Sequence, residues 1–436
     1  MTHRLSPVTV ALAVTAGLAV AATLAILGTV VAHVTTHASV SDFLAYYTAG
    51  YLVRTGQGVH LYQPALIEST ERLLYHGRID QPAGYPLPLF AAWLFAPLSK
   101  LSFTTAYCLY MFMSTALLAG LLWALNRQLA DVPRGERRLF MVCAALALPS
   151  LATIVFGQVD LIALSGLLAG YLLLRSERRV PAGFALCLVL IKPQLLVGVA
   201  LFLVVKRDWR TIGALAALGV PLLIVPALLT GPATLLGNVR EIAQHDSRGL
   251  AAAHLGVMAN WRGFIVSVTG SDKLLYWAPG FVAIAVAATA LGISRWRSTD
   301  GTMAFDRGYS LAVLLPLLVS PHVHTQNLIV GVLPAALFLR AYLGPTAPPG
   351  LRRRAANATL LILSLLFVLP FLAIQGLSLT VFLCVGCYVA VSFHWPDADG
   401  ISEQRASVGD RRVLAGEPGL PGAGHHLPGA YPDEAA

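Results

Sequence analysis

A chain of 436 residues that is 57% hydrophobic and 12% charged, with a mean hydropathy of +0.71, cannot fold as a soluble globule without exposing large apolar patches. Its formal net charge of +9 sits in short basic clusters between apolar runs, RGERR at 134–138, RSERR at 175–179 and RRR at 352–354. That is the arrangement of cytoplasmic loops rather than of a nucleic-acid surface, and the expected fold class is an all-α polytopic membrane protein.

The first apolar run, residues 7–32, is longer than the h-region of a signal peptide and suits an uncleaved spanning helix. After it, DFLAYYTAGYLVRTG at 42–56 reads as an amphipathic helix lying at the interface, with Tyr46, Tyr47 and Tyr51 as aromatic anchors and Gly56 as its stop. Residues 85–98 read as a partly inserted piece. Further apolar runs follow at 103–125, 139–152, 161–174, 180–205, 211–229, 274–294, 309–319, 328–342, 355–371 and 377–393. The run at 180–205 is broken at Lys192, Pro193 and Gln194, because proline has no N–H to give a helix and a lysine is costly against lipid. It is either one kinked span or two short ones. Residues from 395 onward are rich in Pro, Gly and charge, without apolar period, and read as a disordered cytoplasmic tail. All five cysteines lie inside apolar runs, Cys384 and Cys387 at helical spacing in one of them, which argues against a disulfide framework or a zinc site.

Charge distribution chooses between topologies. With the N-terminus in the cytoplasm, the clusters near Arg134, Arg175, Lys206, Arg295 and Arg352 all fall inside if residues 192–194 turn at the outer face and 85–98 is not a full span. This gives about 12 transmembrane helices with both termini inside. The rival count makes 85–98 a full span and 180–205 a single one, and leaves two basic clusters outside. On the preferred map residues 1–394 form the transmembrane domain and 395–436 the tail. The outer face then holds two long loops, 34–101 and 231–272, and three polar turns, FGQVD at 156–160, KPQ at 192–194 and SPHVHTQN at 320–327.

Several polar residues on that face need a reason. Asp42 is a lone acid ahead of an apolar helical stretch, where SD is a common helix cap. Lys192, in the middle of CLVLIKPQLLVG, either meets an anion, lines a wet cavity or snorkels from a helix end. His322 and His324 flank Val323, and each either contacts a ligand or caps a neighbouring span. Arg262 beside Trp261, in MANWRGF, offers a cation and a stacking surface, or else an interfacial anchor. His245, Asp246 and His254 lack metal-ligand spacing, so neither a metal nor another cofactor is expected.

Five pieces, SDFLAYYTAGYLVRTGQGVHLYQP, YPLPLFAAWLFAPLSKL, FGQVDLIALSGLLAGYLLL, LIKPQLLVGVALFLV and LLVSPHVHTQNLIVGVLPAALFL, occur in this order at suitable intervals. The order resembles the GT-C membrane glycosyltransferases, and among them glycosyltransferase family 87, the polyprenol-phosphate-mannose-dependent α-mannosyltransferases. The resemblance implies a GT-C-like bundle in the cell membrane that moves a sugar, mannose by the family's habit, from a polyprenyl-phosphate donor to a lipid or glycan acceptor at the outer face. It also implies that the acid of the first outer loop, here Asp42, is the catalytic base. The acceptor hydroxyl must lose its proton as the new bond forms, and a carboxylate can take it. The leaving phosphate gains charge and calls for cations or directed N–H groups, for which Lys192, Arg262, His322 and His324 are the candidates. Tyr46, Tyr47, Gln158, Asp160 and Trp261 are the candidate substrate contacts, with Asp160 as an aid to the base. The chain departs from the family after SP, where several members carry a tryptophan with the histidine pair.

Two other classes compete. A transporter or flippase would have a similar number of spans, but it commonly shows two similar halves around a midplane site. Here no internal repeat is evident, and the polar turns gather at one face. A scaffolding protein would explain the hydrophobicity but not Lys192 or the outer histidines. No GxxxxGKS/T motif is present, which argues against an ATP-driven pump. The expected partners are a lipid-linked sugar, its acceptor and membrane lipids, and no nucleic acid.

Overall fold

The computed structural model describes residues 42–343, apart from 76–78, 80–83, 245–257 and 298–301, together with a few isolated positions before residue 42. Most of the first apolar run, the two runs after 355, the tail, and His245, Asp246 and His254 lie outside the described residues. Within them every regular element is helical.

The segment expected as the first long loop forms three short helices, α1 (Phe43–Arg54), α2 (Pro64–Leu74) and α3 (Leu89–Phe95). Gly56, at φ +77, turns the chain away just beyond α1, as its position in the sequence suggests. The anchoring role expected for Tyr46 and Tyr47 on a surface face of α1 is corrected. Nine of its 12 residues are buried, because Ala45, Ala49 and Gly50 present no bulk and let neighbours close in. A Cβ on Gly50 would lie 2.5 Å from the Phe95 carbonyl carbon of α3. The Tyr47 hydroxyl donates to the Leu101 carbonyl at 2.7 Å, so this ring is a buried strut instead of a surface anchor.

Among the described residues, four passages are long and apolar enough to cross a membrane. They are α4 (Phe103–Gln128), the pair α5 (Arg134–Leu146) and α6 (Leu148–Val155) taken together, α10 (Trp209–Thr230) and α13 (Leu274–Arg297). Ser102 accepts from Thr105 N and Asp208 from Thr211 N, which fixes where α4 and α10 begin. The other helices are shorter: α7 (Asp160–Arg175), α8 (Arg179–Leu186), α9 (Val197–Val205), α11 (Ala233–Gln244), α12 (Trp261–Thr269), α14 (Thr302–Val319) and α15 (Val332–Leu343). The remaining crossings envisaged in a bundle of about 12 fall on such pieces or outside the described residues.

The broken run at 180–205 resolves into two short pieces. Lys192, at φ −132 and ψ 78, interrupts two 3₁₀ turns that lie between α8 and α9. At the far ends of these helices the chain closes on itself. Arg179 Nη1 lies 2.9 Å from Asp208 Oδ2, and the Thr211 hydroxyl donates to the Arg179 carbonyl at 3.2 Å. The passage is therefore a hairpin with Lys192 at its tip.

Packed beside the hairpin, α7 runs between two polar clusters. At its C-terminal end Asp306 accepts from Tyr171 Oη at 2.6 Å, from Arg175 Nη1 at 2.6 and 2.7 Å, and from Arg340. This basic cluster ties α7 to α14 and α15. The N-terminal end of α7 opens on Asp160.

Candidate active site

The site begins with a turn. After α6 the chain reverses through Gly157, whose φ of +67 suits glycine and whose Cβ, if present, would lie 2.5 Å from Phe43 Cβ. Phe43 N donates to the Phe156 carbonyl at 3.2 Å, which seats the turn against the start of α1. From α4, the Tyr110 hydroxyl donates to the Gln158 carbonyl at 2.9 Å. The turn is thus fixed on both sides, and it brings Gln158 to Asp42 across 116 positions of sequence.

Gln158 is the hub of the polar network. Its Nε2 donates to Asp42 Oδ2, while its Oε1 accepts from Tyr46 Oη and from Lys192 Nζ, both at 2.9 Å. Lys192 Nζ also donates to Asp160 Oδ2 at 2.7 Å, and Asn327 Nδ2 donates to Asp160 Oδ1 at 2.7 Å. Asn327 Oδ1 in turn accepts from the backbone N–H of His324 at 2.8 Å. One chain of bonds therefore runs from α1 through the FGQVD turn and the hairpin tip to the SPHVHTQN segment.

Burial explains why the chain of bonds has to be so complete. Asp160 is fully buried and the Lys192 side chain is 8% exposed. Two charges at that depth lose their hydration, and the pair is tolerable only when further hydrogen bonds fill its remaining sites. Gln158 and Asn327 supply them, and the N-terminus of α7 adds a partial positive charge beside Asp160. Burial first, then the nearby carboxylates of Asp42 and Asp160, hold the Tyr46 phenol well above its usual pKa, so it stays a donor.

Asp42 differs from these residues. It occupies the N-cap position of α1 with helical φ −58 and ψ −20, yet its side chain makes no capping bond. The carboxylate turns to Gln158 instead and remains half-buried. The site thus has a buried ion pair and, one amide away, an acid that solvent can reach.

On the SPHVHTQN segment Val323 is buried, and the residues on either side of it point the other way, as alternate residues of an extended stretch do. The rings of His322 and His324 consequently meet edge to face at 4.5 Å. The segment is held by Ala259 N, which donates to the Val323 carbonyl at 2.7 Å, and by Asn260 Nδ2, which donates to the Ser320 carbonyl at 3.1 Å. Asn260 also caps α12, placing Trp261 and Arg262 at its first turn.

Those two residues form a second cluster. Arg262 grips Asp272 with two nitrogens, at 2.8 and 2.5 Å, and its guanidinium stands 5.0 Å from the Trp277 ring centre. The Trp261 Nε1 donates to the Trp277 carbonyl at 2.9 Å, and its ring packs directly on Gly280. Of the residues singled out in the sequence, Asp42, Tyr46, Gln158, Asp160 and Lys192 come together, with His324 joined through its backbone. Tyr47, Trp261 and Arg262 hold other parts of the structure. Sequence reasoning missed Asn327, Tyr110 and Asp272. Asn327 carried a signal of the same kind as Lys192, a polar side chain opening the apolar stretch NLIVGVL.

Residues 85–321, more than half of the chain, match the family model for glycosyltransferase family 87. The chain belongs to glycosyltransferase family 87. It is accordingly a membrane glycosyltransferase, which sets aside the transporter and scaffold alternatives. No curated protein and no solved structure matches it. The family 87 match takes in Gln158, Asp160, Lys192, Trp261 and Arg262 and ends just before His322. Asp42 and Tyr46 lie ahead of it and are tied to the matched region by their bonds to Gln158.

Proposed function

We propose that this family 87 enzyme transfers mannose from a polyprenyl-phosphate donor to a hydroxyl of a lipid or glycan acceptor, at the outer face of the cytoplasmic membrane. Asp42 is the catalytic base in this reading. The supporting observation is its carboxylate, which occupies a helix-cap position without capping and stays half-exposed on a buried hydrogen-bonded network. In the reaction the acceptor oxygen attacks the anomeric carbon, the bond from that carbon to the phosphate oxygen breaks, and its electron pair leaves with the phosphate. The acceptor's proton passes to Asp42. Lys192 and Arg262 already hold carboxylates, so the phosphate contact is assigned to His322 and His324, half-exposed side by side on one segment. An outward site agrees with the basic cluster of Arg175 and Arg340 standing at the opposite end of α7.

The experiment is purified protein incubated with radiolabelled polyprenyl-phosphate-mannose and a lipid extract of its own host, with a nucleotide sugar as the control donor. Labelled product from the lipid donor alone is expected. Asp42→Asn should lower turnover by about 10²–10⁴-fold and leave the thermal midpoint unchanged, since asparagine keeps size and polarity. An asparagine variant of wild-type turnover would remove the base role.

A further inference from the structure

Gln158 lies between a cation and the proposed base, and its amide has one orientation that fits. The ammonium of Lys192 can only donate, and the buried phenol of Tyr46 is held protonated, so both require an acceptor. Oε1 therefore faces them and Nε2 is left for Asp42 Oδ2. A flipped amide would set N–H groups against the ammonium and a carbonyl oxygen against a carboxylate, two repulsive contacts in place of three hydrogen bonds. Lys192 is itself immobilised, because Asp160 binds it at 2.7 Å and Asn327 binds the other oxygen of Asp160. The hairpin tip fixes the direction of an amide, and the amide fixes the carboxylate.

We infer that Gln158 and Lys192 are positioning residues for Asp42, with Lys192 acting through the Gln158 amide and not as a direct ligand of the donor phosphate. This rests on the base role proposed for Asp42. The neutral amide has a further consequence, since it passes on the geometric restraint of the ion pair without placing the lysine's proton on the base. A hydrogen bond from an amide orients a carboxylate at less cost to its basicity than a direct ammonium contact would.

The two roles open to Lys192 separate kinetically. A phosphate ligand acts on donor KM as well as on kcat, because it holds the donor before and during departure of the phosphate, whereas a residue that only orients the base acts on kcat alone. Three forms of the full-length protein should be compared with wild type, with polyprenyl-phosphate-mannose as donor and host lipid extract as acceptor. The first is Gln158→Met. The second is Lys192→Met combined with Asp160→Asn, so that no unpaired charge is left buried. The third carries all three substitutions. Misplacing a catalytic group by about 1 Å costs on the order of 10²-fold, so the first two forms should each lose about 10–100-fold in kcat with donor KM unchanged. Because they break the same relay, the third should be no slower than the slower of the two. Gln158→Glu keeps the length and the acceptor for Lys192 but turns a carboxylate toward Asp42, and it should lose at least as much kcat as Gln158→Met. Thermal unfolding in detergent identifies any variant that fails to fold, and the Gln158 variants alone then decide. A wild-type kcat in Gln158→Met overturns the inference. So do multiplicative losses in the third form, or a rise in donor KM as the main effect of the Lys192 substitution. If Asp42→Asn is inactive in the same preparation, such results overturn the relay alone, whereas an active Asp42→Asn removes the base role beneath it.

Discussion

At one end of α7, Asp306 accepts from two arginines and a tyrosine, while at the other Asp160 accepts from one lysine and one asparagine amide. Both are carboxylates in apolar surroundings with their oxygens filled. In the first cluster the cations outnumber the acid, and the bonds join α7, α14 and α15, with Arg340 Nη1 also reaching the Gln128 carbonyl of α4 at 3.5 Å. In the second the cation is matched by one acid, and the bonds continue through a neutral amide to a further acid, Asp42, that remains within reach of solvent. Number of ion pairs does not distinguish a fastening from a reaction centre. What distinguishes them is whether the network only joins helices or also reaches an acid partly exposed to solvent.

Breaking the basic cluster tests this most heavily. Asp306→Ala leaves Arg175 and Arg340 without their shared acid and should cost about 3–5 kcal/mol of stability, seen as a large fall in thermal midpoint, while the folded fraction keeps wild-type turnover. Lost turnover at unchanged stability would exchange the roles of the two ends. Gly157→Ala is the intermediate case. The added methyl meets Phe43 at a backbone angle that favours glycine, with strain of about 1–3 kcal/mol. It should also push Gln158 off Asp42, so turnover should fall even in the folded enzyme. Equal turnover per folded molecule would mean that the turn does not govern the site. The smallest effect is expected from Arg262→Lys, which loses the two-toothed grip on Asp272 and the contact over Trp277. It should lower stability by about 0.5–1 kcal/mol with donor KM unchanged, and a clear rise in KM would return Arg262 to the phosphate.

Features that repeat locally were legible in the sequence. The starts of α4 and α13, the break at Lys192 and the polar turns at 156–160 and 320–327 all arise from hydropathy and from residues that interrupt helices. The common side of His322 and His324 was available too, because HVH in an extended stretch alternates, although the two residues alone left that open. What the sequence concealed was partnership over distance. Tyr46 and Tyr47 look like interfacial anchors until Ala45, Ala49 and Gly50 are seen to let α3 approach. Arg175 and Arg340 look like ordinary positive-inside charges, and nothing local connects them to Asp306. In the sequence Lys192 either meets an anion, lines a wet cavity or snorkels, and nothing local points to its partner Asp160, 32 positions earlier in the chain.

The length of α7 has a consequence for depth. Its 16 residues extend about 24 Å, whereas the hydrocarbon layer of a bilayer is about 30 Å thick. Were α7 to stand upright with Arg175 level with one layer of headgroups, Asp160 would end about 6 Å short of the other, and the polar network would lie in a recess below the lipid surface. The polyprenyl-phosphate donor proposed above would bring its phosphate to that level without leaving the lipid, and the acceptor's hydroxyl would be the group that descends into the recess to meet it.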